Sequence, residues 1–185
     1  MSSSSYVNRF VFLSLLLLAL SGCTTKYAPV KDMAALEVKF ADPLWDGVKV
    51  PALQQCNRFG GQAETPRLTI SNIPGEANAV IMEYSDRDDL QMNNGGHGKI
   101  GYTIAADSGA VTTPAVKGHS FELPENVFLV SAHANPGWDK AGAYMPPCSG
   151  GRGNRYYVTV KAVYEAPEGE QSKLLGQGKL ELGKY

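Results

Sequence analysis

Three stretches of this chain bring together side chains that could do chemistry. Tyr84-Ser85-Asp86-Arg87-Asp88-Asp89 offers carboxylates, and Asn93-Asn94-Gly95-Gly96-His97-Gly98-Lys99 offers an imidazole set among glycines. The third, Tyr144-Met145-Pro146-Pro147-Cys148-Ser149-Gly150-Gly151-Arg152-Gly153-Asn154-Arg155-Tyr156, offers backbone N–H groups and two guanidinium groups. Exposed N–H groups in such a glycine loop can cradle an anion. A carboxylate beside His97 would favour the protonated imidazole, and Asp86 is the expected partner, holding the ring by a hydrogen bond. His97 and the amides of residues 149–153 would then meet the anion, with Arg152 at the rim. The same Asp86/His97 pair could act instead as the general base of a hydrolase. That alternative lacks a nucleophile, because no serine stands in a Gly-x-Ser-x-Gly elbow. His97, His119 and His133 are scattered, with neither an HxxxH nor a CxxC pair at metal-ligand spacing, so no metal and no cofactor are expected. The reading is therefore no enzyme.

The cysteines and the N-terminus set the compartment. Residues 10–20 read Phe-Val-Phe-Leu-Ser-Leu-Leu-Leu-Leu-Ala-Leu behind Arg9, which is too short to span a bilayer but suits the apolar region of a signal peptide. The run ends in Leu20-Ser21-Gly22-Cys23, a pattern that resembles the bacterial lipobox, whose cysteine is lipidated and becomes the new N-terminus. Residues 1–22 are thus expected to be removed. Cys23 carries the lipid, and 23–35 is the lipidated N-terminus and linker. Thr24, rather than Asp, follows the cysteine, which by analogy favours the outer membrane, with the chain facing the periplasm of a bacterial cell envelope. Cys56 and Cys148 remain, and in an oxidising compartment a disulfide is the default. The alternative is two buried free thiols.

Composition then narrows the partners. With 17 Lys+Arg against 18 Asp+Glu, the net charge of −1 argues against nucleic acid, which needs a basic surface. A 43% hydrophobic content excludes a mainly disordered chain. Short alternating runs bounded by Gly, Pro, Asn and Asp predict strands at 36–40, 68–73, 79–84, 99–104, 127–132, 156–164 and 174–182. No window carries a sustained helical stripe, so the fold class is all-β, an antiparallel sandwich occupying 36–185, with at most short helices near 31–36 or 171–176. In the run 156–164, Tyr156, Val158, Val160, Ala162 and Tyr164 share the core face. In the run 80–86, Val80, Met82, Tyr84 and Asp86 share a face, so Asp86 points inward at the strand's end. A carboxylate there requires a partner or a pocket.

Taken in order, these pieces resemble the phosphatidylethanolamine-binding protein family, including its bacterial Raf kinase inhibitor-like branch, from about Phe40 to Tyr185. The motifs are Trp45-Asp46-Gly47 with Val50-Pro51, then Gly60-Gly61, Thr65-Pro66-Arg67-Leu68 and Ile73-Pro74-Gly75. Asp86-Arg87-Asp88 is similar to the family's Asp-Pro-Asp, His97 to the histidine that follows it, and Pro146-Pro147 to its Pro-Pro. Asn154-Arg155-Tyr156 falls on its His-Arg-Tyr. The resemblance implies a β-sandwich with a small anion pocket at its edge, formed by Asp86, Asp88, His97, Tyr144, Pro146 and Asn154. It also agrees with pairing Cys56 to Cys148. Asn154 stands where the family has a second histidine and cannot carry a proton charge. Losing that cation weakens binding of a phosphate-like anion unless Arg152 or the glycine amides compensate. The expected function is a lipid-anchored binding or regulatory module for a small anionic or phosphorylated ligand. The alternative is a protein-interaction module or an inhibitor of an envelope enzyme, in which an envelope protein partner would meet the loop Asn135-Pro136-Gly137-Trp138-Asp139, unless Trp138 simply packs over its own sandwich edge.

Overall fold

The alternating runs become strands because each finds a partner that buries one of its faces. The computed structural model of the protein describes residues 26–185. The segment 1–22 and Cys23 lie outside the described residues. Nine strands follow in chain order: β1 (Tyr27–Ala35), β2 (Glu37–Phe40), β3 (Leu68–Ser71), β4 (Ala79–Asp86), β5 (Gly98–Thr103), β6 (Ala110–Thr112), β7 (Val127–Ser131), β8 (Arg155–Tyr164) and β9 (Ser172–Lys184). They form a six-stranded sheet, β1-β9-β8-β4-β5-β7, and a three-stranded sheet, β2-β3-β6. The main core lies between them. Val80, Met82 and Tyr84 of β4 and Tyr156, Val158, Val160 and Ala162 of β8 meet Val38, Leu68 and Ile70 of the smaller sheet. The period of two thus sorts these strands as the sequence predicts, and it carries Asp86 inward, where it is 3% exposed.

Two segments differ from expectation. Residues 27–35 form β1, where the sequence predicts a linker and a short helix near 31–36. β1 lies at the sheet edge and pairs in parallel with β9, with a register shift between Pro29 and Ala34. An edge strand needs neither alternation nor every N–H, so Pro29 and the missing period are compatible with it. The helix expected near 171–176 is strand as well. Lys173 to Gly176 pair with Ala162 to Tyr164 of β8, and that pairing overrides local helix preference. One 3₁₀ turn, Asn57–Phe59, is the sole helix among the described residues. β6 is too short to be read from alternation.

Glycines let the backbone close around His97. Gly98 has φ +122°, and a Cβ there would stand 2.1 Å from the carbonyl oxygen of Ala143. A Cβ on Gly96 would come 2.4 Å from the backbone of Gln91 and Met92. His97 is held between two strand-like segments by its own backbone: its N–H donates to Tyr84 O at 3.0 Å, and its carbonyl accepts from Met145 N at 2.9 Å. Cys56 and Cys148, 92 positions apart, are joined in a disulfide. That bond ties the 3₁₀ turn to the loop before β8.

Because both the dihedral and the contact at Gly98 exclude a side chain, Gly98→Ala should lower stability by at least about 2 kcal/mol. Urea denaturation followed by fluorescence checks this. An unchanged midpoint would show that the close approach to Ala143 is not a constraint.

Candidate functional site

The inward-facing ends of β4 and β8 are neighbours, with Asp86 opposite Tyr156. Around them, the turn after β4, the loop 133–139 and the glycine loop before β8 enclose a cavity of about 130 Å³. Its wall is made by Asp89, Met92, His97, Asn135, Trp138, Met145, Cys148, Ser149, Arg152, Asn154 and Tyr156. Of the residues singled out in the sequence, His97, Arg152 and Asn154 are thus brought together on one wall. Asp86 stands one layer behind it.

The buried Asp86 carboxylate is satisfied by the loops that build the cavity. Asn154 Nδ2 donates to its Oδ2 at 2.6 Å, and the N–H of Asp88 donates to its Oδ1 at 2.8 Å. This differs from the expected bond to His97. The imidazole Nδ1 instead lies 2.6 Å from the carbonyl oxygen of Met145, and since a carbonyl only accepts, Nδ1 carries the hydrogen. The ring is 2% exposed and meets Tyr156 edge-on at 5.3 Å between centroids. Burial pushes the His97 pKa down to about 4, against the opposing pull of the Met145 carbonyl and of Asp86. His97 is therefore neutral at pH 7, and its Nε2 is a lone-pair acceptor rather than the cation that an Asp–His pair would give. Tyr156 moves the other way. Burial raises its pKa and Asp86 adds to the shift, so its hydroxyl stays protonated. That oxygen also accepts from the N–H of Cys148 at 3.2 Å.

The cationic element is Arg152, exposed on its loop and without an ion pair among the described residues. Gly150, Gly151 and Gly153 around it have φ of +68°, +79° and +85°. These left-handed values suit glycine and turn successive amides along the loop. Ser149 Oγ donates to Tyr185 O at 2.5 Å, which fixes the loop's start. Asp89, the acidic residue on the wall, accepts at Oδ1 from the N–H groups of Gln91 and Met92 at 2.9 and 3.2 Å. Its charge is thereby partly spent on its own turn.

Three expected site residues lie elsewhere. Asp88 faces outward, where Arg155 contacts it through Nε at 3.0 Å, through its backbone N–H at 2.8 Å and through a second guanidinium nitrogen. Arg155 holds its carboxyl down at about 2. Tyr144 is 1% exposed in the main core, 4.9 Å from the ring of Tyr84. Pro146 packs against Gly118, while its neighbours Met145 and Cys148 reach the cavity. The strand alternation that carries Asp86 inward carries Tyr156 as well, so the sequence held a signal for this missed wall residue.

Trp138 belongs to the wall rather than to an outward-projecting loop. Its indole N–H donates to Cys148 O at 3.3 Å, and the Arg58 guanidinium lies 4.1 Å from its ring centroid. Behind it, His119 and His133 are buried and share the carbonyl of Lys140, each at 3.1 Å. His133 Nδ1 is buried with no partner, and burial also lowers the pKa of His133.

No protein-family model matches the chain, and no curated protein matches it. Solved structures do. CT736 of Chlamydia trachomatis, described as a phosphatidylethanolamine-binding protein homolog, is 17% identical over 82% of this chain and 97% of that one, with a TM-score of 0.50. YbcL of E. coli, described as a new member of the mammalian family of these proteins, is 16% identical over 82% of this chain and 98% of that one, with a TM-score of 0.52. At such identities the likeness is one of fold. The chain has the all-β fold of the phosphatidylethanolamine-binding proteins, as its motifs imply.

Neutral, buried His97 has a consequence for stability. Its folded pKa of about 4 lies below the ordinary value of 6.5, so the unfolded chain binds the extra proton first. The stability it contributes is complete above about 6.5 and is lost as pH falls toward 4; the downward shift at His133 adds in the same direction. Denaturation at pH 7 and pH 4.5 should show that fall, and His97→Gln should flatten it. An unchanged slope in the variant would place the titrating group elsewhere.

Proposed function

We propose, from a chain with the fold of the phosphatidylethanolamine-binding proteins, that it is a binding or regulatory module for a small anionic or phosphorylated ligand. It is held on the periplasmic side of a bacterial outer membrane by a lipid on Cys23. The observation that carries the ligand class is Arg152. It is a guanidinium without a carboxylate partner among the described residues, set among glycines of positive φ at a cavity whose buried carboxylate is already satisfied. A guanidinium and loop amides match the oxygens of a phosphate group. Neutral His97 adds an acceptor, Nε2, while the one hydrogen of the Tyr156 hydroxyl is directed to Asp86. A phosphate monoester in its monoanionic form offers both partners: anionic oxygens for Arg152 and the loop amides, and a P–OH for His97.

The location rests on the Leu20-Ser21-Gly22-Cys23 pattern. The Cys56–Cys148 disulfide fits an oxidising compartment. Binding rather than catalysis is favoured by the state of the possible nucleophiles near the cavity: Ser149 Oγ is committed to Tyr185 O, and both cysteines are joined. The hydrolase reading also loses its Asp86–His97 bond.

Calorimetry with inorganic phosphate and phosphoethanolamine tests this reading. Arg152→Ala should weaken binding at least tenfold. Affinity in the wild type should rise as pH falls through about 6, where a phosphate monoester takes up its second proton. Equal binding by wild type and Arg152→Ala, or no binding by either, would contradict the reading.

A further inference from the structure

The start of β1 and the cavity lie at opposite ends of the large sheet. The cavity is at the start of β8, where Tyr156 faces Asp86. The chain enters the domain at the other end of that strand. Lys26 Nζ is 3.1 Å from Glu165, the residue after β8, and Gln171 Nε2 donates to Lys26 O at 3.0 Å. Tyr27 pairs with Ser172 at the start of β9. From Tyr156 to Tyr164 the strand covers about 26 Å at its ordinary rise per residue. Cys23 precedes Lys26 by three residue steps, which reach at most about 11 Å when fully extended. The tether is therefore too short to carry its lipid to the mouth of the cavity.

We infer that the cavity faces away from the bilayer that anchors the chain and takes its phosphate-bearing ligand from the aqueous phase, not from a headgroup of that bilayer. This rests on the lipidation of Cys23 and on the phosphate-group reading above. A short tether holds the domain by the end of the sheet where β1 begins. The glycine loop and Arg152 then project from the opposite end, at the start of β8. A phospholipid headgroup and a soluble phosphate ester share the anionic phosphate oxygens that Arg152 and the loop amides would meet, and the length of β8 separates the two sources.

The test uses full-length, acylated protein in phosphatidylcholine vesicles, with mass spectrometry confirming acyl chains on Cys23. Trp138, on the cavity wall, is the reporter; a Trp45→Phe variant isolates its emission, and wild type is measured in parallel. A nitroxide on the lipid headgroup should quench Trp138 by less than about one tenth. In a second arm, phosphoethanolamine should bind with the same Kd, within twofold, whether or not the vesicles contain phosphatidylethanolamine.

Quenching by half or more would show a domain lying with its strands along the bilayer, and would overturn the inference. So would a fivefold or greater weakening in phosphatidylethanolamine vesicles, or the absence of acyl chains on Cys23. Absence of phosphoethanolamine binding in every vesicle overturns the ligand reading and, with it, the source of the ligand. The quenching arm still decides, on its own, where the cavity stands.

Discussion

A carboxylate buried at the end of a central strand organises this molecule's functional edge. Asp86 is carried inward by the same alternation that builds the core, and a buried charge left without donors would be costly. The chain answers with two donors from different loops: the Asn154 amide and the backbone N–H of Asp88. Meeting that demand pins the glycine loop to the end of β4, and the cavity is the space left between them. Around it, the disulfide holds the outer turn and Trp138 closes one side.

This arrangement changes the electrostatics that the residue types alone suggest. An aspartate and a histidine in one pocket invite an ion pair or an acid–base couple. Here each is bonded to something else: Asp86 to Asn154, and His97 to the carbonyl of Met145. Burial then keeps the imidazole neutral. Asn154, standing where the family pattern has a histidine, is what allows this division, because an amide can donate to a carboxylate without bringing a proton that titrates. The positive charge of the site is left to Arg152, which is exposed and free of a carboxylate partner among the described residues.

The fold was largely legible in the sequence because it rests on period-two burial, a local property. Seven strands were visible that way, and the inward turn of Asp86 followed from the same rule. β1 was not legible, since this edge strand is exposed or only half-buried along its whole length and leaves no alternation, and β6 is three residues long. The site was legible only in part. Residue types and glycine spacing pointed to His97, Arg152 and Asn154. They could not say which hydrogen bonds win when a carboxylate, an amide, an imidazole and several carbonyls converge. Asp88 was drawn outward by Arg155 and Tyr144 inward by Tyr84, through contacts between residues far apart in sequence. Tyr156 was visible as a core residue, and its place on the cavity wall emerged only once β8 was set in register with β4.

The account turns on the bond between Asp86 and Asn154, and a double-mutant cycle measures it most directly. Stability would be determined for wild type, Asp86→Ala, Asn154→Ala and the double variant. A charge-assisted hydrogen bond at 2.6 Å between a buried carboxylate and a half-buried amide predicts a favourable coupling on the order of 1.5–3 kcal/mol. Additive effects of the two substitutions would contradict it, and would mean that Asp86 does not hold the glycine loop in place.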